Sequence, residues 1–261
     1  MEYQAFEQDL VATLRNREAL FTKPNLLYWY GRLYERLFGD PQSASELRIL
    51  EIGSGMSPLK HFYPTVITSD IMPLDHVDHV FDAHRIDRVT EIAPSSLDVI
   101  TLTNVLHHLW DPIAFLLKAR GRLRPGGRII LVEPYYSRLS RQIYTRLHHE
   151  PSDFSIQSPR LPAVAGPLST ANMAIPYLIF CSDRGWEREL RRYYRWDQSQ
   201  MFYYTALAYM MTGGVARKIP LPSWFYNMMF TVDSRLADRF PALVASFFCL
   251  TLKVGDEGPA V

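Results

Sequence analysis

Short apolar runs separated by glycine, proline and acidic residues dominate the middle of the chain, at 48–52, 66–69, 96–103 and after the Pro125-Gly126-Gly127 turn within 123–136. Runs this short that do not alternate with polar residues predict parallel strands covered on both faces. A shorter strand-like piece precedes Phe81, and an amphipathic helix follows Asn104–Pro112 as far as Arg122. Residues 3–20 and 26–38 carry helical periodicity and are separated by Lys23-Pro24; the second collects Tyr28, Trp29, Tyr30 and Tyr34. Beyond the fifth strand, 136–174 reads as a proline-rich connection without strong periodicity, the kind of long loop that is functional or disordered. Residues 176–190 then read as a helix, 191–198 as a sixth strand and 245–254 as a seventh. The pattern predicts an α/β domain built on a mostly parallel sheet.

Between the last two strands lies an insertion, 199–244, rich in aromatics and methionine. It is expected to be helical, and its apolar face suits a lid over an acceptor pocket, a homodimer contact or a peripheral membrane contact. The chain then divides into a helical cap at 1–46, a core at 47–198 with a long loop at 136–175, the insertion, the last strand at 245–254 and a flexible tail at 255–261.

Composition narrows the function classes. The 261 residues carry a net charge of +1, so there is no electrostatic footprint for nucleic acid. Cys181 and Cys249 are the only cysteines, far apart and without metal-ligand spacing, which argues against a disulfide framework or a zinc site. The acidic amino terminus lacks a signal-peptide core, and no apolar run reaches the roughly 20 residues that cross a bilayer. The expectation is a cytoplasmic enzyme.

The candidate chemistry is densest at 47–70. The first strand stops at Gly53-Ser54-Gly55, where backbone can turn tightly and approach a ligand with no Cβ in the way. Asp70 ends the second strand, placed to accept hydrogen bonds from ribose hydroxyls. That much fits NAD as well as S-adenosylmethionine. Two details favour the latter: Pro58 stands where the dinucleotide fingerprint needs a third glycine, and Glu51 lies two residues before Gly53. A carboxylate there repels a pyrophosphate and suits a cofactor carrying a sulfonium and an ammonium. Taken by itself, Asp82 reads as a helix cap.

Five segments in order, LEIGSG, SD at 69–70, FDAH at 81–84, LDVITLTNVLHHLWDP and LRPGGRIILVEP, resemble the class I S-adenosylmethionine-dependent methyltransferases, in particular the type 11 or ubiquinone/menaquinone methyltransferase-like subgroup. The resemblance covers about ninety residues. It implies a Rossmann-like seven-stranded sheet whose seventh strand is antiparallel, with N-terminal helices closing over the cofactor. It also implies that Glu51, Gly53, Ser54 and Gly55 hold the methionine end, Asp70 and the adjoining Ile71 the ribose, and Asp82 with Ala83 the adenine edge. Asn104 falls beside the sulfonium. Met56-Ser57-Pro58 departs from the small residues that many relatives carry. The second half also resembles, more loosely, methyltransferase-like proteins of polysaccharide or lipid-linked glycan clusters.

Methyl transfer needs positioning and desolvation, and a base only when the acceptor must shed a proton. Two histidine pairs present themselves: His107-His108 after the fourth strand, and His148-His149 in the long loop, where Glu150 could orient an imidazole. Glu133, at the end of the fifth strand, either binds the acceptor or anchors the next turn. The Asn-Pro-Pro-Tyr type motif of amino-group methylation is replaced by Asn-Val-Leu-His, which favours a small-molecule or lipid-linked acceptor methylated at oxygen, with N- or C-methylation behind it. A cyclisation of the cofactor's own aminobutyryl chain and a non-catalytic cofactor-binding scaffold are the competing readings.

Overall fold

The computed structural model describes residues 3–148, 150–197, 199 and 201–255. The apolar runs form the middle of one sheet: β1 (Ile49–Ile52), β2 (Ile67–Asp70), β3 (His79–Val80), β4 (Leu97–Thr103) and β5 (Leu123–Pro134), with β6 (Tyr194–Arg195), β7 (Phe202–Tyr204) and β8 (Phe247–Val254) at one side. The order is β3-β2-β1-β4-β5-β8-β6, and the first five strands are mutually parallel. β8 runs antiparallel to β5. The direction of winding reverses between β1 and β4, and in open α/β sheets the crevice outside the strand ends at that point is where ligands bind.

Side chains alternate across the sheet as strand geometry requires. Leu50, Ile52, Ile100, Leu102, Ile129, Leu131, Leu250 and Leu252 enter one layer with Phe115 and Leu116 of α5 (Pro112–Ala119). Ile49, Val99, Ile130, Val132 and Cys249 enter the other, against α2 (Pro24–Phe38). α1 (Tyr3–Phe21) precedes α2, which opens on a proline, a residue whose missing N–H costs nothing at the first helical position. The short helices α3 (Pro41–Ala44) and α4 (Leu59–Phe62) flank β1 in the chain.

Three expectations change. The connection after β5 is not structureless: it contains α6 (Arg138–Leu147), capped by Ser137, whose hydroxyl accepts from the Ser140 amide. The helix expected over 176–190 is α7 (Ala174–Phe180), which ends ahead of a turn with Gly185 at φ +71°. The sixth strand shrinks to two residues because 190–192 coil into a 3₁₀ turn, so β6 reaches only Val254 and Lys253 of β8. The other half of that edge, Phe247–Cys249, is taken by β7 from within the insertion, which gives eight strands among the described residues instead of seven.

Of the rest of the insertion, α8 (Ala208–Met211) and α9 (Ser223–Arg239) gather around Trp29, whereas α10 (Pro241–Val244) packs against α9 and α6. The Trp29 indole N–H donates to Thr205 Oγ1 at 3.1 Å, and Tyr204 donates to the Trp29 carbonyl at 2.8 Å. Rings of Tyr204, Tyr209 and Phe247 lie 5.0–5.2 Å from it. The opposite face of α9 exposes Trp224, Met228, Val232 and Leu236 at four-residue spacing. Both cysteines are free, and among the described residues no helix is long and apolar enough to cross a membrane.

Candidate active site

β1 delivers the chain into a left-handed turn. Gly53 has φ +73°, and a Cβ there would stand 2.5 Å from Val105 Cγ2 in the loop after β4. At Gly55 a Cβ would come within 2.9 Å of both Asp70 Oδ2 and Thr13 Cγ2. Both glycines are thus fixed by close approach, one across the β1/β4 crevice and one toward β2. Ser54 ties the two strand tips together, its N–H donating to the Ser69 carbonyl and its hydroxyl accepting from the Ser69 amide. Asp70 is buried and accepts from the Gly55 and Met72 amides at 2.8 and 2.9 Å; burial raises its carboxyl, and those amides pull the other way. Ile71 follows it in a bend.

Glu51 is the unusual member. Its Oε1 accepts from Ser57 at 2.6 Å, while Oε2 is buried with no hydrogen-bond partner among the described residues. Burial pushes its pKa up to about 7, opposed by Ser57, Ser54 and Arg17, with nearby Asp70 adding to the rise. A buried carboxylate oxygen left unpaired is costly and fits a site made for a cation. Ser57 is itself held, accepting from the Tyr34 hydroxyl and the Leu59 amide.

The amino-terminal helix covers this corner. Thr13 contacts Met72, Arg17 donates to the Ser57 carbonyl at 2.7 Å, and Asp9 accepts from the Leu168 and Ser169 amides, both at 2.9 Å, and from the Ser169 hydroxyl. Asp9 therefore staples α1 to the segment ahead of α7. In Asp9→Ala those donors lose their acceptor; α1 docking is expected to weaken by about 1–3 kcal/mol, read as faster amide hydrogen exchange across α1, and unchanged exchange would contradict it.

Asp82 caps the 3₁₀ turn that starts at Ala83, its Oδ1 accepting from the His84 amide and from His84 Nδ1; those bonds lower its pKa. Ala83 is buried beside it. Asn104 takes φ +55° where β4 ends, a conformation asparagine tolerates better than most residues, and its Oδ1 has no partner among the described residues.

The histidines separate sharply. Glu133 is fully buried; Oε1 accepts from the Val105 and Leu106 amides at 3.0 and 2.7 Å, and Oε2 accepts from His107 Nδ1 at 2.6 Å. His107 Nε2 lies 3.4 Å from Glu150 Oε2, His108 Nε2 3.8 Å from Glu150 Oε1, and the two imidazoles lie with centroids 4.4 Å apart, tilted by 38°. Burial opposes a charge on His107, but Glu133 and Glu150 outweigh it and lift the pKa to about 10. Burial and the neighbouring His107 push His108 down to about 4. Glu150, which burial alone would raise, is held down at about 2 by the two imidazoles and His148. His148 is exposed, accepting from the Glu150 amide at the end of α6, and His149 lies outside the described residues.

Tyrosines bridge the two corners. Burial raises the Tyr30 phenol, with Tyr209 and Glu51 adding to it; burial raises Tyr209 to about 12, with Glu150 adding. Thr13, Arg17 and Asp9 carry no motif signal, since each reaches the site from a distant part of the chain. Met56-Ser57-Pro58 did carry one, as the single departure from the resembled pattern.

A sequence model described as a methyltransferase domain matches residues 17–173, more than half of the chain. Methyltransferase AacuQ of Aspergillus aculeatus is 30% identical over 135 residues, covering 44% of this chain and 43% of that protein, so the match spans less than half of the relative. Among solved structures, a SAM dependent methyltransferase from Archaeoglobus fulgidus aligns over 85% of this chain and 98% of its own, at 12% identity and TM-score 0.43. The trans-methyltransferase CalH in complex with SAH aligns over 88% and 59%, at 14% identity and TM-score 0.38. On the family match, and with the strand order and glycine turn just described, the chain belongs to the class I S-adenosylmethionine-dependent methyltransferases.

Proposed function

We propose that the protein transfers a methyl group from S-adenosylmethionine to an oxygen of a small-molecule or lipid-linked acceptor. The observation that carries the reading is the unpaired, buried Oε2 of Glu51 beside a glycine turn at the β1/β4 crevice. When bound, the cofactor supplies an electrophilic methyl on a positively charged sulfur, leaving S-adenosylhomocysteine as product. Glu51 receives the ammonium of the methionine end, and Gly53, Ser54 and Gly55 keep backbone close to it. Asp70, with Ile71 alongside, accepts from the ribose hydroxyls, and Asp82 with Ala83 borders the adenine. Asn104 offers its unpaired Oδ1 where β4 ends. Thr13 and Arg17 on α1 exclude water from this corner, which strengthens each of these interactions.

The acceptor fits between Glu51 and the histidine pair, along Tyr30 and Tyr209. Its hydroxyl passes its proton to Nε2 of His108, the neutral imidazole of the pair, which the Thr170 carbonyl orients, while His107 stays charged between Glu133 and Glu150. Of the histidines, buried His107 and half-buried His108 are favoured over His148, which faces solvent.

Asp70→Ala is expected to weaken cofactor binding by about 1–3 kcal/mol through lost charge-assisted hydrogen bonds, measured by calorimetric titration with S-adenosylhomocysteine; equal affinity would remove Asp70 from the site. Mass spectrometry of turnover mixtures separates the competing readings. S-adenosylhomocysteine with a methylated acceptor supports transfer, methylthioadenosine indicates cyclisation, and cofactor binding without any product indicates a scaffold.

A further inference from the structure

We propose that His107, His108 and Glu150 form a binding site for one divalent first-row transition cation, ligated by Nε2 of each histidine and a carboxylate oxygen of Glu150. One ligand atom from each residue lies within 4.8 Å of the others; His107 Nε2 is 3.4 Å from Glu150 Oε2 and His108 Nε2 3.8 Å from the other oxygen, Oε1. Metal bonds of about 2.0–2.2 Å in a tetrahedral shell place donor atoms roughly 3.4 Å apart, so closing on an ion requires the three side chains to draw together, by a rotation of the Glu150 carboxylate and small shifts of the imidazoles.

The second argument is the orientation of the rings. A ligating histidine almost always donates its other ring N–H to a carboxylate or backbone carbonyl, which fixes the tautomer and turns the free nitrogen toward the metal. Both histidines here do so: His107 Nδ1 donates to Glu133 at 2.6 Å and His108 Nδ1 to the Thr170 carbonyl at 3.0 Å. Since a carbonyl only accepts, His108 Nδ1 carries the hydrogen and Nε2 is left with its lone pair on the side of Glu150. Glu133 is in turn immobilised by two backbone amides.

Charge and ligand type agree. Glu133 and Glu150 bring two carboxylates into a mostly buried pocket, and a dication balances them once both imidazoles are neutral. Two imidazoles and one carboxylate suit Zn²⁺, Fe²⁺ or Co²⁺ better than Mg²⁺ or Ca²⁺, which prefer all-oxygen shells. Three protein ligands also leave a coordination position open, as in catalytic sites. With the ion bound the two Nε2 atoms and the Glu150 carboxylate no longer serve as a base. The open position would instead bind the acceptor oxygen and lower its pKa so that the proton leaves to water; this role rests on the methyl-transfer reading, whereas ion binding does not.

The test is titration of the full chain, stripped by dialysis against chelator and shown folded by circular dichroism, with Zn²⁺, Co²⁺ and Mg²⁺, followed by calorimetry and metal analysis. One equivalent of Zn²⁺ or Co²⁺ is expected to bind, with Mg²⁺ far weaker. His108→Ala and Glu150→Gln are expected to lose about 100-fold or more in affinity, and Glu133→Gln about 10- to 100-fold. The absence of saturable one-to-one binding by folded wild type, or unchanged Zn²⁺ affinity in folded His108→Ala and Glu150→Gln, overturns the site and leaves an ion-pair cluster. The same preparations are titrated with S-adenosylhomocysteine. Cofactor binding without metal binding sinks the metal site alone, and metal binding without cofactor binding sinks the methyl-transfer reading alone.

Discussion

Glu133→Ala is expected to lose about 3–5 kcal/mol of folding stability, because it removes one partner of a buried charged network and strands what remains. The carboxylate has no exposed surface and holds three groups at once: the amides of Val105 and Leu106, which turn the chain after β4, and Nδ1 of His107. Its loss leaves two buried N–H donors unsatisfied and withdraws the neighbour that most supports a charge on His107. Glu133→Gln separates these effects. Its carbonyl oxygen still accepts from both amides, but its NH₂ faces the donor Nδ1, so it is expected to recover roughly half of the loss. Urea unfolding at neutral pH measures both; a cost below about 1 kcal/mol for the alanine variant would show that the turn after β4 does not depend on Glu133.

Glu51→Gln is expected to move stability and cofactor affinity in opposite directions. The folded-state pKa of about 7 lies above the ordinary carboxyl value of 4.5, with burial the chief cause. The folded protein therefore binds more protons than the unfolded chain between those values, and stability falls as pH rises from about 4.5 through 7, by up to roughly 3 kcal/mol at 1.36 kcal/mol per unit. Above pH 7.5 the full cost of the buried charge is present. The glutamine variant carries no such charge, so at pH 8 it is expected to be more stable than wild type by about 1–3 kcal/mol, with the difference vanishing near pH 4.5. Cofactor affinity is expected to drop by about 10- to 100-fold in the same variant, the loss of one charge-assisted contact in a buried site. Stability given up at a functional carboxylate is a common trade-off between folding and activity. Thermal unfolding from pH 4.5 to 8 reads the first effect and calorimetry the second; a variant no more stable than wild type at pH 8 would contradict the burial argument.

The parts of this molecule that were legible in its sequence are the local ones. β1, β4 and β5 stand out because strands buried on both faces must be apolar throughout, and Glu51, Gly53, Gly55 and Asp70 fall within one βα unit. Trp29 and its neighbours stand out as a cluster of aromatics in α2, although nothing local shows that Thr205 and Tyr204 would meet Trp29 from the insertion. α6 is illegible for a different reason: Arg138–Leu147 is strongly polar, and its helix rests on the Ser137 cap and on Tyr144 packing against Tyr136. β7 has three residues, too few for any periodicity. At the site, the chain places Glu150 some forty residues beyond His107, and only the fold brings them to 3.4 Å. α1 likewise reaches the glycine turn through Thr13 and Arg17 with no pattern to announce it.

The most direct test of the central claim, that a buried carboxylate at the tip of β1 receives the positively charged end of the cofactor, is calorimetric titration of wild type and Glu51→Gln with S-adenosylhomocysteine at pH 5.5 and 7.5. Wild type is expected to bind one equivalent about 20-fold more weakly at pH 5.5, releasing close to one proton there as Glu51 ionises, whereas the variant shows neither the pH dependence nor the proton release. Wild-type affinity that does not change with pH, or a variant that behaves identically, would contradict the account.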